Sequence, residues 1–292
     1  IVAVIEAGGI AVPFHRKSHP DTRSNLESAS KARFVLSPLN LETRSAPSPI
    51  KILEALPPKR PLLDGAAMIT FTSGSTGKPK GVVLSRKRIS AKLVTICEAI
   101  EMSMSPLALV PLQLQFSFGQ WATFLPLMMG GSVYITAHFS ADWANQIIHN
   151  QPITHFAAVP TMLRLMLEGE RDTRHMRILT GGEAVGSKLS SAIFKRWPNA
   201  TVDGIYGLTE TGTCDLFRSD KLDLPSDDSL GYPAKQVRVT TDPITSELLI
   251  KSPFAMLGYL DMPKLTNETI CDGWVKTGDI AQINNDGTVT LL

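Results

Sequence analysis

One short segment concentrates residue types that bind phosphate. The run TSGSTGKPKG, Thr72 to Gly81, holds three glycines, four hydroxyl side chains and two lysines directly after a short apolar stretch. Glycines let the backbone approach an anion, hydroxyls donate hydrogen bonds, and lysines offset phosphate charge. The composition predicts a phosphate-binding loop, and a hydrophilic turn without a ligand is the alternative that it leaves open.

The loop differs from that of the P-loop nucleoside triphosphatases. Their GxxxxGK(S/T) motif requires a serine or threonine directly after the lysine, whereas Pro79 follows Lys78 here. The sequence therefore argues against a kinase or a GTPase.

Together with three other segments, the loop resembles the signature of the adenylate-forming superfamily, which includes acyl-CoA synthetases, luciferases and peptide-synthetase adenylation domains. YGLTETG, Tyr206 to Gly212, is similar to the family's YGxTE motif, and DGWVKTGD, Asp272 to Asp279, to its GWxxTGD motif. GGEAV, Gly181 to Val185, occupies the place of a Gly-Gly turn beside adenine. The motifs occur in the family's order, and the resemblance covers nearly the whole chain.

The resemblance implies a role for each motif. The stretch from Thr72 to Lys80 would contact the phosphates of ATP, and Glu210 would bind magnesium, a hard cation that carboxylates suit. Lys80, Thr209 and Glu210 are the expected catalytic residues. Tyr206 and the turn at residues 181–184 would enclose adenine, and Asp279 would accept hydrogen bonds from the ribose hydroxyls. The expected nucleotide-binding positions are Thr72, Ser73, Gly74, Ser75, Thr76, Gly77, Lys78, Lys80, Gly182, Glu183, Ala184, Tyr206, Gly207, Thr209 and Asp279.

The implied reaction explains why these residue types are needed. A carboxylate attacks the α-phosphorus of ATP although both are anionic, so the repulsion must be offset by cations. The expected cofactors are ATP and Mg²⁺, and the expected substrate is a small carboxylic acid. In the family, the acyl-adenylate is then captured by the thiol of CoA or of a carrier-protein pantetheine.

The segment PLQLQFSFGQWATFLP departs from the family pattern. Many acyl-CoA synthetases carry a histidine where Phe116 aligns, and amino-acid-activating domains carry an aspartate where Ser117 aligns. Without that aspartate an α-ammonium group lacks a counter-charge, which favours an acid without an α-amine. The candidate lining of an acyl or aryl pocket is Phe116, Trp121, Gly181 and Cys214. A plain core position is the alternative for the aromatic and sulfur side chains.

The elements that must position these residues follow an α/β pattern. β-branched runs alternate with amphipathic stretches, which predicts a doubly wound, mostly parallel sheet with helices on both faces. The predicted strands are 68–72, 82–84, 107–112, 132–136, 154–159, 176–179 and 201–206. The predicted helices are one around Trp121, and 160–169 and 187–197.

The pattern changes after about Asp215. Short alternating strands at 237–241 and 247–251 predict a small antiparallel, barrel-like subdomain. The residues from Asn284 to Gly287 separate two β runs, which is a hairpin signal. We therefore expect two units: residues 1–215 as the α/β body and residues 216–292 as the β-rich subdomain.

Composition narrows the remaining classes. The chain of 292 residues is 43% hydrophobic and 19% charged, with a formal net charge of +2. This balance argues against nucleic acid as a partner, and no apolar stretch reaches the length of a membrane span. The three cysteines, Cys97, Cys214 and Cys271, match neither a disulfide framework nor a zinc site. We expect reduced thiols and a cytoplasmic location.

Both ends of the chain depart from the family. Members begin before EAGGIAVPF and continue into a small C-terminal domain that bears a catalytic lysine, so the sequence is expected to be a truncated body with little activity of its own. Three functions stay open. The chain could belong to a carboxylic acid–CoA ligase, to an adenylation domain that loads an acyl or aryl acid onto a carrier protein, or to a non-catalytic nucleotide-binding module.

Overall fold

The computed structural model describes residues 1–15, 18–36, 50–52, 60–72, 79–136, 138–183, 185–221 and 229–292. Within these residues the helices are α1 Val2–Glu6, α2 Pro20–Ser30, α3 Arg86–Ala99, α4 Ser117–Met128, α5 Ala141–Asn150, α6 Pro160–Met166, α7 Gly186–Arg196 and α8 Pro263–Thr269. Single 3₁₀ turns lie at Pro61–Leu63 and Thr209–Thr211.

The strands follow in chain order. They are β1 Phe34–Leu36, β2 Ile50–Ile52, β3 Ala66–Thr72, β4 Lys80–Ser85, β5 Leu107–Val110, β6 Ser132–Ile135, β7 His155–Ala157, β8 Arg177–Gly181, β9 Thr201–Tyr206, β10 Leu216–Asp220, β11 Tyr232–Pro233, β12 Arg238–Thr241, β13 Glu247–Lys251, β14 Gly258–Tyr259, β15 Ile270–Cys271, β16 Trp274–Ile283 and β17 Val289–Leu291.

A seven-stranded sheet forms the centre of the protein. Its strand order is β11-β10-β9-β8-β7-β5-β6, and the five strands from β9 to β6 pair in parallel. Successive residues of these strands pack on opposite faces, since Phe156 and Ile178 contact one apolar cluster while Ala157 and Leu179 contact another. Helices cover both clusters, so the predicted parallel α/β core is confirmed.

The element bounds agree closely with the sequence pattern in this core. Strand β9 begins and ends where it was predicted, and α7 and α6 differ from the predicted 187–197 and 160–169 by one to three residues at their ends. Among the described helices, none is both long and apolar enough to cross a bilayer.

The strands beside the glycine-rich loop depart from the doubly wound expectation. β3 and β4 pair with each other antiparallel, and with β14 they form a separate three-stranded sheet. Thr72 lies directly opposite Lys80 in this ladder, so the two strands are joined by only seven residues of sequence. A connection this short cannot hold a crossover helix, which is why the parallel expectation is wrong here.

The C-terminal part is antiparallel, as expected. Strands β12, β13, β16 and β15 pair in that order, and β17 folds back on β16 through the predicted turn, where Gly287 has a φ of 88°. Strands β10 and β11, however, join the central sheet by antiparallel pairing. The central sheet therefore continues past residue 215, and the division into two domains there stays a prediction.

Candidate functional site

A cavity of about 270 Å³ opens at the carboxyl ends of the parallel strands. This edge is where ligands bind in open α/β sheets, because the loops that follow neighbouring strands meet there. The lining residues follow β5, begin α4, lie at or just after the ends of β7, β8 and β9, or precede β10. They are Leu112, Gln113, Phe116, Ser117, Phe118, Gly119, Val159, Gly181, Gly182, Ile205, Tyr206, Gly207, Thr213 and Cys214.

Two glycines on this edge permit close backbone packing. A Cβ atom at Gly207 would lie 2.5 Å from the amide nitrogen of Cys214 and 2.9 Å from that of Asp215. A Cβ atom at Gly181 would lie 2.6 Å from the carbonyl oxygen of Ile205. Glycine is therefore required at both positions by sterics, which accounts for the glycines in two of the sequence motifs.

The cavity lining is uncharged among its described residues. Only Tyr206 and Cys214 are titratable there, and burial raises the pKa of the Cys214 thiol to about 12. Burial and the hydrogen bond to Asp279 raise the pKa of Tyr206 well above its usual value. Both groups stay protonated near neutral pH, so the cavity favours an apolar ligand without a formal charge.

A hydrogen-bonded polar pair lies at the border of the cavity. The Tyr206 hydroxyl donates to Oδ2 of Asp279 over 2.5 Å, and the Asp279 backbone N–H donates to Oγ1 of Thr277. Asp279 is thus held by groups from two motifs that are far apart in the sequence. Its other carboxylate oxygen, Oδ1, has no hydrogen-bond partner among the described residues and is available to accept from a ligand hydroxyl.

The side chains of Glu210 and Lys80 both lie beside Tyr259, a residue outside the sequence motifs. The Tyr259 hydroxyl donates to Oε1 of Glu210 over 2.7 Å, and Nζ of Lys80 lies 5.7 Å from the centroid of the Tyr259 ring. Burial and the Glu210 charge raise the pKa of Tyr259, which keeps the hydroxyl a donor. Tyr259 lies on β14, outside the four sequence motifs, so the motifs gave no signal for it.

Glu210 fits a cation that takes most of its ligands from elsewhere. Its carboxylate is partly exposed, and no described residue donates to Oε2. No group of three or more histidine, cysteine or acidic side chains gathers elsewhere in the described chain. One carboxylate supplemented by phosphate oxygens and water is the arrangement that magnesium favours.

The remaining expected site residues take several positions. Thr209 shares a hydrogen bond with Ser117 over 3.2 Å, and Glu183 is exposed, with Thr161 and Arg164 nearby. Gly182 has a φ of 88°, which favours glycine. The positions from Ser73 to Lys78 and Ala184 lie outside the described residues.

Three of the four expected pocket residues line the cavity, and Trp121 does not. Its side chain is only 1% exposed, packs in the core between α3, α4 and the sheet, and donates its indole N–H to the Gly212 carbonyl over 3.1 Å. The apolar face of α4 turns this residue inward, whereas Phe116 precedes the helix and is 55% exposed. The pocket interpretation of Trp121 is therefore replaced by a core role.

The difference in burial between Trp121 and Phe116 predicts that their alanine variants differ in stability. Trp121→Ala is expected to lower the free energy of unfolding by about 3–5 kcal/mol, because it removes a buried aromatic side chain and orphans the Gly212 carbonyl. Phe116→Ala is expected to change it by no more than about 0.5 kcal/mol. Urea denaturation of both variants tests the pair, and equal destabilisation would contradict it.

Cysteine reactivity offers a second test of the burial around the cavity. The thiolate is the nucleophile, and burial raises the pKa of Cys97 to about 11 and that of Cys214 to about 12, whereas Cys271 is exposed. Iodoacetamide at neutral pH is expected to label Cys271 alone in the folded protein, and all three cysteines in urea. Mass spectrometry of the peptides identifies the labelled cysteines. Labelling of Cys214 without denaturant would contradict the burial of its thiol.

The sequence of the chain is similar to a family of AMP-binding enzymes and to two CoA ligases. The family model described as AMP-binding enzyme matches residues 1–260. Feruloyl-CoA synthase of Amycolatopsis sp is 27% identical over an alignment of 309 residues, gaps included. The alignment covers 97% of this chain and 62% of that enzyme. The 2-succinylbenzoate–CoA ligase of Bacillus licheniformis is 30% identical over 241 residues, covering 79% of this chain and 50% of that enzyme.

A solved structure shares the fold over the full length of the chain. O-succinylbenzoate coenzyme A synthetase from Bacillus subtilis, in complex with ATP and magnesium ion, matches with a TM-score of 0.84 at 23% identity, over 100% of this chain and 66% of that chain. The chain thus spans 62% and 50% of the two curated relatives and 66% of the solved one.

Proposed function

The chain belongs to the AMP-binding enzyme family, and we propose that it forms the nucleotide- and acid-binding body of an acid–thiol ligase. The ligase would activate a carboxylic acid with ATP, release pyrophosphate and transfer the acyl group to CoA. The observation that carries this proposal is the continuity of the site. Tyr206 lines the apolar cavity and also donates to Asp279, and Glu210 lies four residues farther along the chain, in the 3₁₀ turn Thr209–Thr211.

The described residues divide the work in this proposal. Asp279 accepts hydrogen bonds from the ribose hydroxyls, Tyr206 closes the site beside adenine, and Lys80 offsets phosphate charge. Glu210 would hold magnesium, which when bound supplies positive charge against the phosphates and the pyrophosphate leaving group. Ser117 lines the cavity and shares a hydrogen bond with Thr209, the first residue of the Glu210 turn, so this pair links the cavity to that turn.

The lining of the cavity limits the chemical class of the carboxylic acid substrate. An uncharged lining leaves a second carboxylate or an α-ammonium group without a counter-charge, and burying an unpaired charge is costly. We infer a monocarboxylic acid with a mostly apolar tail, aliphatic or aryl. CoA is the favoured acceptor because both curated relatives described above carry CoA in their names.

ATP–pyrophosphate exchange tests the proposal. Fatty, aryl and amino acids would be assayed with this chain and with any longer product of its reading frame, in the presence of magnesium. Exchange driven by uncharged-tail acids is expected, and folded protein that exchanges with none of the acids would refute acid activation. Radiolabelled acyl transfer to a carrier protein but not to CoA would select the carrier-loading alternative, and ATP binding without exchange would select the non-catalytic module.

A further inference from the structure

A buried ion pair lies beneath the proposed nucleotide site. Nζ of Lys92 on α3 lies 2.8 Å from Oδ1 of Asp215, and the two side chains are 1% and 0% exposed. Removing two charges from water is costly, and apolar residues of similar volume usually stabilise a core as well as such a pair does. A pair in this place therefore calls for a reason besides stability.

The second oxygen of Asp215 reaches the turn that carries Glu210. The Thr211 hydroxyl donates to Oδ2 of Asp215, and the same hydroxyl oxygen accepts the backbone N–H of Leu208 over 3.2 Å. These bonds fix both ends of the single 3₁₀ turn Thr209–Thr211. The direction of the Glu210 carboxylate therefore depends on the position of Asp215.

The backbone between the turn and Asp215 is in an unfavourable conformation. Thr213 and Cys214 are consecutive non-glycine residues with φ angles of 62° and 52°. Such conformations persist only where the surroundings hold them, and they occur often at functional sites. Here the Asp215 backbone N–H donates to the carbonyl of Tyr206 over 2.7 Å. This bond joins the two ends of the loop that includes Thr213 and Cys214.

Helix α3 holds the Glu210 turn from a second side. Its Arg88 donates to the Met256 carbonyl over 2.8 Å, and the Met256 backbone N–H donates to the Glu210 carbonyl over 2.7 Å. The same helix follows β4 directly, and β4 begins at Lys80. Through α3, the hairpin that carries the glycine-rich loop is thus braced against the segment that carries Glu210.

We propose that Lys92 and Asp215 are positioning residues, which fix the Glu210 carboxylate and the Tyr206–Cys214 loop relative to the hairpin that bears Lys80. This inference rests on the proposed function for the role of Glu210. Both side chains are buried and neither lines the cavity, so both would act through Thr211 and the backbone. A purely structural pair would be replaceable by apolar side chains without any effect on the site.

The experiment compares variants of the chain by two readouts. The first is hydrogen exchange of the amides at residues 206–215 without nucleotide, and the second is the ATP affinity measured by calorimetry with magnesium and with EDTA. The midpoint of urea denaturation is recorded for every variant as the measure of stability. The variants are Lys92→Met, Asp215→Asn, the double variant Lys92→Met/Asp215→Leu, Thr211→Val and Thr211→Ser. Asp203→Asn is the matched control, because Asp203 is 1% exposed and pairs at 2.9 Å with Arg177, which begins β8 and so lies at the amino ends of the parallel strands, away from the cavity.

Positioning predicts a specific pattern. Lys92→Met, Asp215→Asn and Thr211→Val are expected to speed exchange at residues 206–215 and to reduce the magnesium-dependent gain in ATP affinity about 10- to 100-fold. Thr211→Ser keeps the hydroxyl and is expected to retain both properties. The double variant is expected to recover the unfolding midpoint without recovering either property, and Asp203→Asn to lower the midpoint alone.

The two proposals fail in different ways. A double variant with slow exchange at residues 206–215 and the wild-type magnesium effect would show a structural pair and overturn the inference. Wild-type chain that binds no ATP would instead refute the proposed function. In that case the hydrogen-exchange readout of the double variant still decides whether the ion pair orders the Glu210 turn.

Discussion

Glu210→Gln is expected to abolish the magnesium-dependent part of ATP binding and to lower pyrophosphate exchange about 100-fold. Glutamine keeps an oxygen that can accept from the Tyr259 hydroxyl, which lies 2.7 Å from Oε1 of Glu210, so the substitution removes charge with little change of shape. In the proposed site, loss of that charge removes the carboxylate that would bind magnesium, the hard cation that would offset phosphate charge. Calorimetric titration with ATP, in magnesium and in EDTA, measures the binding effect.

Tyr259→Phe is the control for this prediction, because it removes the hydrogen bond to Glu210 and leaves the charge. A smaller loss, about 3- to 10-fold, is expected, in line with the net contribution of a single hydrogen bond. If Glu210→Gln retained the full magnesium effect, the carboxylate would have no part in holding the cation.

Asp279→Ala is expected to weaken AMP binding about 10- to 100-fold, with or without magnesium. Each hydrogen bond to a charged group contributes about 1.5–3 kcal/mol, and the variant removes the acceptor for the ribose hydroxyls. The Tyr206 hydroxyl, which donates to Asp279 over 2.5 Å, also loses its partner, so adenine-side packing is affected as well. Calorimetry with AMP measures the change.

Tyr206→Phe separates the two contributions to this loss. It removes the hydroxyl and keeps the ring beside the cavity and the Asp279 carboxylate, so AMP affinity is expected to fall less than in Asp279→Ala. Equal AMP affinity in wild type and Asp279→Ala would contradict the ribose assignment. Because AMP lacks the β- and γ-phosphates, this prediction is independent of the magnesium site.

The central sheet was predictable because periodicity reports burial. Runs such as 107–112 and 154–159 are apolar enough to lie between two helical layers, and amphipathic helices alternate with such strands. The turn from Asn284 to Gly287 was equally clear, since Gly287 adopts a φ that favours glycine. These signals are local, and each element's neighbours in the sequence suffice to identify it.

The pairing of β3 with β4 was less accessible, because strand runs look alike whether they pair in parallel or antiparallel. The placement of Trp121 depended on the rotation of α4, which an apolar helix leaves ambiguous. Lys92 and Asp215 are 123 residues apart, and a lysine in an amphipathic helix reads as a solvated residue until the fold buries it. Long-range contacts of this kind carry no local pattern.

Tyr259 shows the same limit at the site itself. The motifs identified Lys80 and Glu210 separately, yet the residue that contacts both lies on the short strand β14, which pairs with β4 next to the glycine-rich loop. Motif order thus supplied the candidate residues Lys80 and Glu210, whereas Tyr259, which lies beside both, became evident only from the fold.

We propose that the residues expected to bind the nucleotide and the apolar cavity form one acyl-adenylate site. Calorimetry with acyl-adenylate mimics, in which a stable sulfamate joins an acyl group to adenosine, tests whether the two parts bind one ligand. A mimic with an apolar acyl tail is expected to bind at least about 100-fold more tightly than AMP, and an aminoacyl mimic no more tightly than AMP. An apolar mimic that binds no more tightly than AMP would contradict the account.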